Sequence, residues 1–357
     1  MAHPKPVLRR GWSTGACAAA AARAAFEALV SGQFPDPVTI ALPGGERPRF
    51  ALAVKERRNG MARAGIIKDA GDDPDVTHGA TVIAEVTRAS RGAGVVFHAG
   101  EGVGTVTLPG LPLAVGEPAI NPGPRAIIAA ALGEVEPAPD VEVTLSIPGG
   151  ATLAARTMNA RLGIIGGLSI LGTTGIVVPY SCSAWIASIE RGIDVARAAG
   201  VTHIAAATGR TSEAAVQRLH GLAELALIDM GDFAGGVLKY LRRHPVPRLT
   251  LAGGIAKMTK LAEGHLDLHS ARSRIGGTEI ARRLARIGVP ETVVAADDEG
   301  ASVGAAMAAL EAPLAEAFAA SVAADARQVA LDRLGPGIAV DVVLFDRAGK
   351  LLAHAGP

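Results

Sequence analysis

Twelve residues concentrate most of this chain's candidate chemistry: Lys68-Asp69-Ala70-Gly71-Asp72-Asp73-Pro74-Asp75-Val76-Thr77-His78-Gly79. Four carboxylates, an ammonium and an imidazole share a stretch between two β-like runs, 61–67 and 80–88. Gly71, Pro74 and Gly79 keep it irregular, because glycine tolerates positive φ while proline fixes φ and removes a donor. Charges this dense repel one another unless positive or hydrogen-bonding groups lie among them. Two readings fit: a solvated acidic turn, or a site loop that holds a cation or handles protons.

Other stretches carry weaker signals. Gly11-Trp12-Ser13-Thr14-Gly15-Ala16-Cys17-Ala18 leads into Ala-rich sequence through Leu29. Ser13 or Thr14 caps a strongly helix-favouring body, and such an N-terminus offers N–H groups to an anion; a packed Ala helix with an ordinary cap fits equally. Cys17 falls in the first turn, where a thiol pKa can be lowered, but no His lies near it in sequence and it is not read as a nucleophile. Gly102-Val103-Gly104-Thr105 lacks the third glycine and following helix of a dinucleotide fingerprint, and lacks the Lys of a phosphate loop. Arg125 stands in the first turn of a helix opened by Asn121-Pro122, against the dipole preference, which points to a carboxylate or phosphate partner or to a surface position. His265 and His269 flank Asp267 at metal-like spacing, but zinc wants a third ligand and the Gly/Asp context is not helical, so no metal is assigned.

The elements that must position these groups change character along the chain. Short strands over 38–42, 50–54, 61–67, 80–86 and 94–97 follow one another without helices, predicting a largely antiparallel sheet. A further strand pair is expected over 141–147 and 151–157. From 176 onward strands and helices alternate, predicting βαβ units and a parallel sheet covered on both faces. The expectation is therefore an α+β domain over 1–163, carrying the acidic loop, followed by an α/β Rossmann-like three-layer domain with a mainly parallel sheet over 164–357. Ligands of such sheets bind outside the carboxyl ends of the strands, which puts Thr208-Gly209-Arg210-Thr211, Asp229-Met230-Gly231-Asp232 and Gly253-Gly254-Ile255-Ala256-Lys257 on one rim.

Composition bounds the function. With 357 residues, 49% hydrophobic and 19% charged, the chain can bury a sizeable core. Its 35 basic and 34 acidic side chains leave a net charge of +1, giving no field for nucleic acid. The uncharged stretch 162–189 is long enough to span a bilayer, but its glycines and Pro179 would leave backbone unsatisfied in lipid. Two cysteines, Cys17 and Cys182, cannot build a disulfide framework. A soluble protein of the reduced cytoplasm is expected.

Taken together and in order, Trp12 to Ala19, Lys68 to Gly79, Gly102-Val103-Gly104, Gly116-Glu117-Pro118-Ala119-Ile120-Asn121-Pro122, Asn159-Ala160-Arg161-Leu162-Gly163-Ile164, Gly166 to Gly175 and Gly264 to Ser270 carry a resemblance. The chain resembles the cobalt-precorrin-5B C-1-methyltransferases of the anaerobic-type cobalamin pathway, from about residue 9 to about residue 350. It departs at Ala16, where the family often has Thr, and at Leu268, which replaces a more usual polar residue. The resemblance implies methyl transfer from S-adenosylmethionine to ring carbon C-1 of a cobalt-bound corrinoid precursor, with cobalt present only as part of the substrate. It implies no catalytic set and is compatible with a homo-oligomer, while the charge balance and the glycine-broken apolar stretch already argue against nucleic-acid and membrane partners. Physical chemistry then proposes roles. Asp69, Asp72, Asp73 or Asp75 would face the sulfonium or orient the donor's amino group, and His78 or one of the aspartates would accept a proton. The backbone of Gly166, Gly167, Gly172, Thr173, Thr174 and Gly175 would take the adenosine half. Arg125, Arg156, Arg161 and Lys257 would meet the macrocycle's carboxylates. Two other readings are a phosphoryl-transfer protein using Gly102 to Thr105, and a corrinoid carrier ligating through His265 and His269.

Overall fold

The computed structural model describes residues 8–289 and 302–356. The fold is mixed α/β, and the chain divides into two compact units at Ser181/Cys182. The first contains, in order, β1 (Gly11–Trp12), α1 (Thr14–Ser31), β2 (Val38–Thr39), β3 (Arg49–Phe50), β4 (Val54–Arg58), β5 (Met61–Ile67), β6 (Thr81–Arg88), β7 (Val95–Ala99), β8 (Thr105–Val106), α2 (Pro122–Gly133), β9 (Val141–Ser146), α3 (Gly150–Ala154), β10 (Ile164–Ile165) and β11 (Ile176–Val177). The second contains α4 (Cys182–Ala198), β12 (His203–Ala207), α5 (Arg210–His220), β13 (Leu227–Asp229), α6 (Ala234–Leu241), β14 (Arg248–Gly254), α7 (Ile255–Ala262), α8 (Gly277–Arg286), α9 (Val303–Ala308), α10 (Ala312–Leu334), β15 (Ala339–Phe345) and β16 (Leu351–Ala355).

In the first unit a five-stranded sheet runs β4-β5-β6-β9-β7, antiparallel throughout except for the parallel β9–β7 pair. Alternation in β9 buries Val141, Val143 and Leu145, as a half-covered strand requires. Against this sheet lies α1, flanked by α2. Its Ala-rich body is buried from Thr14 to Ala22 and again at Ala24, Ala25, Phe26 and Ala28. Small side chains let neighbouring elements approach on every side, and Gly32 at φ +86 ends the helix in the left-handed region.

The second unit is built on the order β13-β12-β14-β15-β16, parallel apart from the antiparallel β16. One face of it packs Ala205, Ala207, Ala252, Val343 and Phe345 against Ala215 and Val216 of α5. The other packs Ile204, Ala206, Leu249, Leu251, Val340 and Val342 with side chains of α4, α6, α7 and α10.

Two expectations need correction. Residues 151–157 are not a strand: Gly149 at φ +73 turns the chain into α3, and β9 pairs instead with β6 and β7. Nor does the boundary fall at 163/164. β10 pairs with β8, and β11 pairs with β1, so the glycine-rich stretch belongs to the first unit.

Candidate functional site

Every carboxylate of the acidic loop has a partner within the first unit. Asp69 makes a two-pronged ion pair with Arg9, at 2.5 and 2.9 Å, and accepts the Gly71 N–H at 2.9 Å. Asp72 accepts the Arg9 N–H at 2.6 Å, and its own N–H returns to the Arg9 carbonyl at 3.0 Å. Asp73 accepts the Tyr180 N–H at 2.9 Å. Asp75 accepts from the buried ammonium of Lys68 and from Thr77, whose N–H and hydroxyl lie at 2.7 and 2.6 Å. The repulsion that the sequence poses is thus answered by one Arg, one Lys and several backbone donors. Hydrogen bonding to Arg9 holds the Asp69 carboxyl down to about 2. Burial pushes Asp75 up, but Lys68 and Thr77 outweigh it and the net shift is downward.

His78 has a fixed tautomer. Its Nδ1 accepts the Ala70 N–H at 3.1 Å, so in the neutral ring the proton sits on Nε2. An imidazole held this way presents a donor to its surroundings and no free lone pair.

The N-terminus of α1 is engaged by the protein itself. Ser13 Oγ accepts the Ala16 N–H, and the Gly15 N–H reaches the Leu171 carbonyl at 3.0 Å. The ordinary-cap reading is the one the geometry follows. Burial pushes the Cys17 thiol up to about 12, opposite to the shift a helix N-terminus alone would give.

The glycines of 166–175 fall into two groups. A Cβ on Gly167 would lie 2.3 Å from the Gly102 carbonyl, one on Gly172 would lie 2.3 Å from Ser13 Oγ, and one on Gly175 would lie 2.5 Å from Leu42. At these three, the space that a side chain would fill is taken by the protein itself. Gly166, at φ +87, meets nothing within 4 Å and is exposed, as are Thr173 and Thr174. The open edge of the segment is therefore Gly166 with the two threonines.

Among the expected substrate contacts, Arg125 already has its carboxylate: it donates to Glu117 and to the Ile120 carbonyl, both at 2.8 Å, and lies over the Phe97 ring. Arg156 is exposed just past α3, and Arg161 is half-buried in the turn after it. Lys257 lies in the second unit, where the parallel register does bring the three rim segments together: its Nζ donates to the Thr208 carbonyl at 2.9 Å and pairs with Asp232 at 3.0 Å. Asp267 is paired with Arg272 at 2.6 Å, and His269 Nδ1 accepts the Ala271 N–H. Among the described residues no cluster of three metal-ligating side chains occurs.

Two residues at this locus escape sequence reasoning. Arg9 sits far from the loop in sequence, so its double role was invisible there. Tyr180 follows Pro179 at the end of the first unit and is one of only two tyrosines in the chain, which was the one available signal.

Acidic loop, N-terminal segment and glycine edge together define a mixed α/β protein whose candidate site lies within the first unit, its carboxylates held by Arg9, Lys68 and backbone donors. The family profile described as CbiD matches residues 1–179, and that described as CbiD, C-terminal domain, matches 267–356. A relative from Paramagnetospirillum magneticum named cobalt-precorrin-5B C(1)-methyltransferase is 57% identical over 98% of this chain and 98% of its own. One of the same name from Methylorubrum extorquens is 58% identical over 97% of each chain. A 1.9 Å crystal structure of cobalamin biosynthesis protein (cbiD) from Archaeoglobus fulgidus is 27% identical, covering 75% of this chain and 84% of that one with a TM-score of 0.40. The chain belongs to the CbiD family.

Proposed function

We propose that this protein is the S-adenosylmethionine-dependent enzyme that methylates C-1 of cobalt-precorrin-5B, giving cobalt-precorrin-6A in corrin-ring biosynthesis. The observation that carries this reading is near-full-length identity above one half with relatives of that name. No helix among the described residues is long and apolar enough to cross a membrane, in keeping with a cytoplasmic enzyme.

The donor supplies an electrophilic methyl on a sulfonium. The protein's work is then alignment, for which positioning can supply roughly 7–11 kcal/mol. Gly166, Thr173 and Thr174 have the open backbone and hydroxyls that suit the donor's polar edge. Asp69, Asp72 and Asp73 would offer negative potential to the sulfonium while each is already held by a fixed donor, so no reorganisation is needed when the cation arrives. With Nδ1 engaged, His78 orients a neighbour through its Nε2–H. Exposed Arg156 and half-buried Arg161 suit the carboxylates of the macrocycle. The second unit reads as Rossmann-like: its strand order reverses between β12 and β14, and a crevice outside Thr208-Gly209 is where such sheets take ligands, with Lys257 at its edge.

Incubation with methyl-labelled S-adenosylmethionine and cobalt-precorrin-5B tests the proposal. Label recovered in the macrocycle only when both protein and precursor are present is the expected result. Tight precursor binding with no label transferred would instead identify a carrier.

A further inference from the structure

Tyr180 holds φ +55, a region that glycine enters freely and a bulky side chain does not. Its N–H donates to Asp73 Oδ1 at 2.9 Å, so the acidic loop pins the unfavourable backbone in place. Held there, Tyr180 is 68% exposed. The chain's other tyrosine behaves conventionally: Tyr240 gives its hydroxyl to Asp194 at 2.5 Å and stacks on His244. A turn needing only this backbone would be served better by Gly or Asn. An aromatic kept in a costly conformation, anchored by a carboxylate and turned to solvent, is a ring kept for contact.

We propose that the ring of Tyr180 is the platform on which the flat, conjugated macrocycle of the substrate stacks, with Asp73 as the positioning residue that fixes it. The inference rests on the corrinoid reading above. Aromatic faces favour offset stacking on another π-system. A ring this open suits a broad macrocycle, whereas a purine would be gripped between enclosing walls.

Tyr180→Gly and Tyr180→Asn relieve the backbone and remove the ring, Tyr180→Phe keeps the ring, and Asp73→Asn keeps an acceptor for the N–H that Asp73→Ala deletes. The probe is dicyanocobyrinic acid, titrated by visible absorbance. S-adenosylhomocysteine binding by calorimetry and melting temperature are measured alongside. The Gly and Asn variants should melt no lower than wild type, bind the corrinoid about tenfold more weakly and bind S-adenosylhomocysteine within about twofold of wild type. Phe should remain near wild type. Asp73→Ala should copy the loss and Asp73→Asn restore binding, which a purely structural carboxylate would not do. Undiminished corrinoid binding by both the Gly and Asn variants overturns the inference, as does failure of the wild-type protein to bind the probe. Weakening of S-adenosylhomocysteine alone would assign the ring to the donor and overturn the macrocycle platform. Because the readout is binding, a wild-type protein that holds the corrinoid in a Tyr180-dependent way yet transfers no methyl refutes the proposed activity and leaves this inference standing.

Discussion

Lys68 and Asp75 form an ion pair inside the acidic loop, with the Lys68 side chain only 1% exposed. Thr77 Oγ1 accepts a second hydrogen bond from the ammonium at 2.5 Å. Removing one partner of a buried pair strands the other's charge. Asp75→Ala should therefore cost roughly 3 kcal/mol, at the low end for buried pairs because Asp75 keeps some solvent. Urea unfolding checks this, and Lys68→Met should cost less because it removes the charge that needs pairing.

Acid should act on the two units at different pH. Burial, reinforced by the Arg248 charge, lowers His203 from 6.5 to about 4, with its Nε2 2.8 Å from Thr250 Oγ1. The unfolded chain then binds the proton more readily than the folded one, so stability falls as pH drops from 6.5 towards 4. Asp69 is depressed from 3.8 to about 2, so its contribution is complete above 3.8 and is lost only on approach to 2. Hydrogen exchange across this range should show amides of β12 and β14 exposed before those of β5 and β6. Simultaneous loss would contradict the separation.

His78 offers a sharp test of chemistry against geometry. With Nδ1 accepting the Ala70 N–H, a proton-accepting role would require the ring to release that bond first. The acidic limb of kcat/KM should consequently survive in His78→Ala. Its disappearance would show that the tautomer changes during turnover and that His78 is the base.

The glycine edge divides just as cleanly. Gly167→Ala drives a methyl into the Gly102 carbonyl at 2.3 Å and should destabilise by more than about 3 kcal/mol. Gly166→Ala meets no atom and costs only the positive-φ penalty, about 1 kcal/mol. If Gly166 lies against the donor, that mild variant should still weaken S-adenosylhomocysteine, as calorimetry would detect.

The legible and illegible parts of the chain differ in range. Alternation from His203 to Phe345 declared the parallel sheet because each strand and helix signals itself within a few residues. The cap at Ser13 and the αL stop at Gly32 are equally local. What failed was long-range. Gly102 and Gly167 looked like room for a ligand, yet each admits another stretch of this same backbone. Arg125 was open to a carboxylate or phosphate partner or to a surface position, and Glu117 supplies a carboxylate from eight residues away. For the acidic loop, residue types announced that compensation was needed but not that Arg9 and the Tyr180 N–H would provide it.

The pairing of β1 with β11 has a consequence during synthesis. Gly11 and Trp12 find their partners only when Ile176 and Val177 have emerged, so the first unit closes almost at its last residue. Meanwhile α1, buried over most of its length, is among the earliest elements made. At ordinary elongation rates of about 5–20 residues per second, that helix waits on the order of ten seconds or more for its full enclosure. The nascent chain should thus be a strong client for ribosome-associated chaperones, and release from them should coincide with translation of the residues that seal the N-terminal segment.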